Sequence, residues 1–126
     1  MHYRKTIGIL GGMGPAATVN LFDKIVKAAK VGSDQDHPRI IIVNNPKIPD
    51  RTAAILGNGA DPLPVMVESA RLLSSAQVDF IVIPCVTAHF FHARLQEQIS
   101  TPILHAVKET VKHAVTQYPG LEKIGL

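Results

Sequence analysis

The sequence predicts an α/β protein built on a parallel sheet of four to five strands with helices on both faces. Three observations lead there. Short apolar runs at 6–10, 39–45, 78–84 and 101–106 alternate with longer stretches of helical periodicity, the pattern of successive βαβ units. The runs are rich in β-branched residues and bounded by Gly, Pro and Asn. Three of them end in polar or glycine-rich peptide, at 11–14, 44–51 and 85–89. Right-handed crossovers put helices on both faces of such a sheet, and ligands bind beyond the carboxyl ends of its strands.

The elements follow in order. "TIGIL" (6–10) is an uncharged first strand fit for burial on both faces. "GGMGPAAT" is a glycine turn, with Pro15 placed for the first turn of a helix. That helix covers 17–30, with Leu21, Ile25 and Ala28/Ala29 on one face. A loop at 31–38 leads to the second strand, 39–45. Two prolines make 46–52 irregular, and a short helix follows at 52–56. The next helix, 64–76, is expected to face Val67, Ala70, Leu72 and Leu73 inward. Then come a third strand (78–84), a helix (87–99), a short fourth strand (101–106), and a helix (105–118) stopped by Pro119 and Gly120. The segment 122–126, "EKIGL", opens a fifth apolar run. It reads either as an outer strand of this sheet or as the first strand of a second α/β unit.

Composition narrows the function. The 126 residues suit a single domain, 1–126; 46% are hydrophobic and 18% charged, enough for a packed core. The net charge of +3 is mild, and Lys and Arg are scattered among few aromatics, so no nucleic-acid partner is expected. No apolar run approaches the roughly 20 residues that span a bilayer, so no membrane partner is expected either. The apolar run after "MHYRKT" is too short for a secretory leader. A single cysteine permits no internal disulfide and fits a reducing cytoplasm.

Three motifs carry chemistry. Gly12-Met13-Gly14-Pro15-Ala16-Ala17 satisfies the dinucleotide pattern G-x-G-x-x-G/A. The second strand, however, ends in Asn44 and Asn45 rather than in the acidic residue that would hold a ribose. Exposed backbone N–H groups at such a turn suit a carboxylate as well as a phosphate. The second motif is Cys85, after an apolar strand and before a predicted helix. It is either a thiol activated by the helix N-terminus or a small core residue. Thr87 is placed to cap that helix or bind a ligand, and His89, one turn on, to tune or protonate the thiol. The third is Arg51, whose guanidinium either grips a carboxylate bidentately or pairs with Asp50 or Asp61. His2, His37, His92, His105 and His113 show no metal-ligand spacing, so no metal is expected.

"IGILGGMGPAAT", "IPDRT" and "DFIVIPCVTAHFF", in that order, resemble the aspartate/glutamate racemase family, with a match running from Thr6 to Leu126. The resemblance implies a cofactor-independent isomerase that inverts the α-carbon of an acidic amino acid between two cysteines. It implies that Cys85 is the catalytic cysteine of the N-terminal half. By the same likeness Arg51 grips the side-chain carboxylate, Thr87 contacts substrate, and Gly11, Gly12, Met13 and Gly14 line the pocket. Two departures stand out. Val86 occupies the position where the family's box usually carries Asn, which removes an amide's hydrogen bonds. The chain is also half the family's length and lacks the second cysteine, so the likeness implies one half of a two-domain architecture and a half-site. A homodimer bringing two Cys85 residues across one cavity is one route to two-sided chemistry. Two other classes fit the same residues: a related decarboxylase, isomerase or hydantoin racemase, and a binding module for a carboxylate or nucleotide.

Overall fold

The structure, a computed structural model, describes residues 4–125. His2 and Leu126, the last position of the 122–126 segment, lie outside the described residues. Three parallel strands form the sheet: β1 (Ile7–Gly11), β2 (Ile40–Asn44) and β3 (Phe80–Val82), in the order β2-β1-β3. Ile7 stands opposite Ile40 on one side and Phe80 on the other. The helices are α1 (Pro15–Ala28), α2 (Arg51–Ile55), α3 (Leu63–Ser75), α4 (His92–Gln96) and α5 (Ala106–Gln117). Short 3-10 turns occupy Asp34–Asp36 and Thr87–Phe91. No described helix is long and apolar enough to cross a membrane.

Side-chain alternation along β1 places a helix on each face. Leu10 points into the main core, where α3 contributes Met66, Val67, Ala70 and Leu73 and β3 contributes Ile81. Gly11, the next residue, points the opposite way, at α1. A Cβ added there would lie 2.4 Å from Thr18 Cγ2, so only glycine lets α1 come this close. Pro15 sits in the first turn of α1 as expected. Leu72 departs from expectation: it is exposed, because the inward stripe of α3 runs through Met66, Ala70 and Leu73, and Leu72 falls about 100° to one side of it.

The sheet has three strands, not four to five. At 101–106 only Ile103 reaches the sheet, as an isolated parallel bridge to Ile81. Its bonds are Ile81 N–H to the Pro102 carbonyl (2.8 Å) and Leu104 N–H to the Ile81 carbonyl (2.9 Å). Both neighbouring rungs are blocked. The rung before needs an N–H from residue 102, which is proline. The rung after needs the Ala106 N–H, which is donated to His89 Nε2 instead (3.1 Å). Residues 122–125 are exposed and in no regular structure, so the fifth strand is not formed there either. The single helix expected at 87–99 is the 3-10 turn followed by α4.

Candidate active site

Because all three strands are parallel, the peptides following Gly11, Asn44 and Val82 leave from the same edge of the sheet. Met13 from the first, Ile48 from the second and Ala88 from the third are buried in one cluster, against which Cys85 packs. That shared apolar floor holds the three loops together. Helix α2 also packs on the Thr87–Phe91 turn.

The glycine turn is fixed by Thr18, one turn into α1. Its buried Oγ1 accepts from Gly12 N–H (3.0 Å) and donates to the Gly14 carbonyl (3.1 Å). Gly12 has φ +102°, and a Cβ there would lie 2.3 Å from the Asn45 carbonyl carbon. Asn45 N–H in turn donates to the Gly11 carbonyl (3.1 Å). The Met13 side chain turns into the core, so residues 11–14 offer main chain rather than side chains to a ligand. Gly14 is exposed, and adding a Cβ there meets nothing within 4 Å.

The second loop aims Arg51. Asp50 caps α2, accepting from Ala53 N–H (2.7 Å), and Asp61 pairs with Arg94 (2.9 Å). Neither carboxylate takes the Arg51 guanidinium. Its Nη1 donates to the Ile48 and Pro49 carbonyls (3.2 and 3.0 Å), which hold the fork against its own loop. Its Nε is buried and, among the described residues, without a hydrogen-bond partner. A buried donor left unpaired is costly.

Cys85 is half-buried, and its sulfur lies 3.4 Å from Thr87 Oγ1. Thr87 therefore faces the thiol instead of capping the turn, whose cap residue Val86 makes no side-chain bond. Val86 itself is exposed. The dipole alignment offered to Cys85 is that of one short 3-10 turn, not of the long helix expected. His89 also departs from expectation. Its Nδ1 lies 2.7 Å from the Cys85 carbonyl oxygen and its Nε2 receives the Ala106 N–H, so both nitrogens are committed to main chain.

His89 and His92, one turn apart, and His105, 13 residues further on, form one cluster, with ring centroids 4.8 to 6.4 Å apart. His92 Nε2 meets the Ile103 carbonyl (2.8 Å), and His105 Nδ1 caps α5 by accepting from Lys108 N–H (3.3 Å). Partial burial, and then repulsion from positive charge on its neighbours, His92 foremost, hold His105 below its ordinary value. Asp61 is held below the usual carboxylate range by the Leu63 N–H and by Arg94. Sequence reading missed this cluster and the anchor Thr18. The one available signal for Thr18 was a hydroxyl four residues after Gly14 in a helix that follows a glycine turn. A cavity of about 320 Å³ lined by Phe22, Val26, Asp34, His37, Pro38 and Ile40 lies at the opposite, amino edge of β2 and holds none of the expected site residues.

The family model described as Asp/Glu/Hydantoin racemase matches residues 10–126. The broad specificity amino-acid racemase RacX of Bacillus subtilis (strain 168) is 35% identical over 112 residues, covering 84% of this chain and 48% of RacX. The Picrophilus torridus aspartate racemase structure superposes with a TM-score of 0.81 at 31% identity, over 90% of this chain and 48% of that one. An aspartate racemase homologue from Pyrococcus horikoshii OT3 shares the fold, with a TM-score of 0.74 at 18% identity over 90% of this chain and 50% of that one. The chain thus spans about half the length of the relatives it matches.

Proposed function

The chain belongs to the Asp/Glu/hydantoin racemase family, and from that premise we propose that it carries one half of a site that racemises an acidic amino acid without a cofactor. The observation that carries the proposal is the convergence of Cys85, Arg51 and the 11–14 turn on one edge of the sheet, over the shared floor of Met13, Ile48 and Ala88. Arg51, whose guanidinium is taken by neither Asp50 nor Asp61, holds the substrate's side-chain carboxylate. Main-chain groups of 11–14 border the substrate. Cys85, as thiolate, removes the α-proton, leaving the electron pair delocalised into the α-carboxylate. Proximity and exclusion of water favour this step, since that proton is weakly acidic. Thr87 Oγ1, beside the sulfur, steadies its negative form.

Inversion requires a base on each side of the α-carbon. The chain has one cysteine, so in a two-cysteine site the second thiol comes from another segment or a second copy of the chain. A lone Cys85 still does half the reaction: it takes the α-proton, exchanges it with solvent, and returns a deuteron to the same face. The test incubates the purified chain with aspartate, and separately glutamate, in D2O, following the α-proton by NMR and the optical rotation in parallel. Loss of the α-proton signal with rotation retained, absent in Cys85→Ser, is the expected result. No exchange, with slow alkylation of Cys85 indifferent to aspartate, would return the thiol to a core-filling role. Rapid loss of rotation by the chain alone would overturn the half-site reading.

A further inference from the structure

Resting on that reading of Cys85, we propose that His89 is a positioning residue. As the neutral Nδ1–H tautomer, it clamps the main chain of Cys85 to the first residue of α5. The tautomer follows from the partners. Ala106 N–H can only donate, so His89 Nε2, 3.1 Å away, must be an unprotonated acceptor. The proton of the neutral ring is then on Nδ1, which donates to the Cys85 carbonyl at 2.7 Å. His89 is 7% exposed, and its ring lies beside the imidazoles of His92 and His105.

Each end of the clamp does something specific. The Ala106 N–H would otherwise extend the Ile81–Ile103 bridge into a fourth strand; given to His89, it turns the chain into α5 instead. At the other end, Cys85 N–H is already tied to the Ile83 carbonyl (2.9 Å). With its own carbonyl tied as well, the main chain on both sides of the cysteine is fixed, and the sulfur is held at the rim, 3.4 Å from Thr87 Oγ1. Without the clamp, a half-buried thiol is free to settle into the apolar cluster it already touches. His89 therefore acts on the chemistry through the placement of Cys85, not as a proton donor to it.

The test has a spectroscopic arm and a reactivity arm. In the 15N-labelled chain, long-range proton–nitrogen correlations should place the His89 proton on Nδ1, with Nε2 unprotonated and the Ala106 amide protected from exchange. A proton on Nε2 overturns the proposal, and this arm needs no variant. In the second arm iodoacetamide modifies Cys85 at neutral pH. His89→Phe keeps an aromatic ring and deletes both bonds; His89→Asn keeps a donor within reach of the Cys85 carbonyl. The expected result is a roughly tenfold slower reaction in His89→Phe with its fold intact by circular dichroism, and recovery to within about threefold in His89→Asn. An unchanged rate in a folded His89→Phe, or equal losses in both variants, overturns the proposal. A wild-type Cys85 no faster than free cysteine removes the catalytic reading above, whereas the tautomer result stands or falls by itself.

Discussion

Thr18→Val isolates the anchor of the glycine turn. Valine keeps the branched shape, so no cavity forms in a position only 3% exposed. What disappears is the hydroxyl that accepts from Gly12 N–H at 3.0 Å and donates to the Gly14 carbonyl at 3.1 Å. The two losses are unequal. The Gly14 carbonyl keeps a bond from the residue 18 main-chain N–H (3.2 Å). The Gly12 N–H is left buried and unpaired, which costs about 1–3 kcal/mol. An extra buried methyl returns about 0.8 kcal/mol. The net expectation is a loss of up to about 2 kcal/mol, set against the ~5–15 kcal/mol that holds a domain folded. Urea titration should show this as a midpoint lowered by up to roughly 1 M with unchanged slope. Hydrogen exchange should show the Gly12 amide opening faster in Thr18→Val and staying protected in Thr18→Ser, which retains the hydroxyl. A Thr18→Val protein as stable as wild type, with Gly12 still protected, would refute the assignment.

Three further expectations follow. Gly12→Ala forces a Cβ into φ +102° and to within 2.3 Å of the Asn45 carbonyl carbon; left-handed strain alone costs about 1–2 kcal/mol, so a thermal or urea midpoint indistinguishable from wild type would contradict the close approach. His105 is held below its ordinary value of 6.5, so the fold favours its neutral form: as pH falls through that ordinary value the unfolded chain binds the proton first and stability drops. It levels off below the folded-state value. Melting temperature should therefore fall as pH drops through about 6.5, and His105→Asn, which keeps an N-cap for α5, should flatten that fall. Arg94→Ala breaks an exposed pair with Asp61 and should shift stability by less than about 1 kcal/mol; a larger loss in a denaturant titration would show that this pair matters to the fold.

Much of the architecture was legible. "TIGIL" read as a strand fit for burial on both faces and is the central β1, "RIIIVNN" read as a strand from its β-branched residues and is β2, a partly exposed edge strand, and "GGMGPAAT" between strand and helix marked the turn correctly. What failed depended on partners distant in sequence. "TPILHA" has the composition of a strand, yet Pro102 lacks one donor and Ala106 gives its own to His89, 17 residues back. Leu72 and Leu73 look alike in sequence, and only the direction of α3 across the sheet decides which is buried. Arg51 was recognisable as a loop cation, but its freedom from Asp50 and Asp61 depends on where those carboxylates went. His89 drew notice as a neighbour of Cys85 along the chain, whereas its bonds are to main chain on either side of it.

Helix α5 has no fully buried residue, and Val107, Val111 and Val115 along it remain 43–49% exposed. A 12-residue helix with so little packed against it is marginal by its own propensity. Its first amide, however, is the one the His89 ring receives. Melting of the final helix would thus untie the backbone beside the sulfur. If His89 clamps Cys85 as proposed, winding of α5 and placement of the thiol are one equilibrium, not two: whatever shelters those valines also steadies Cys85.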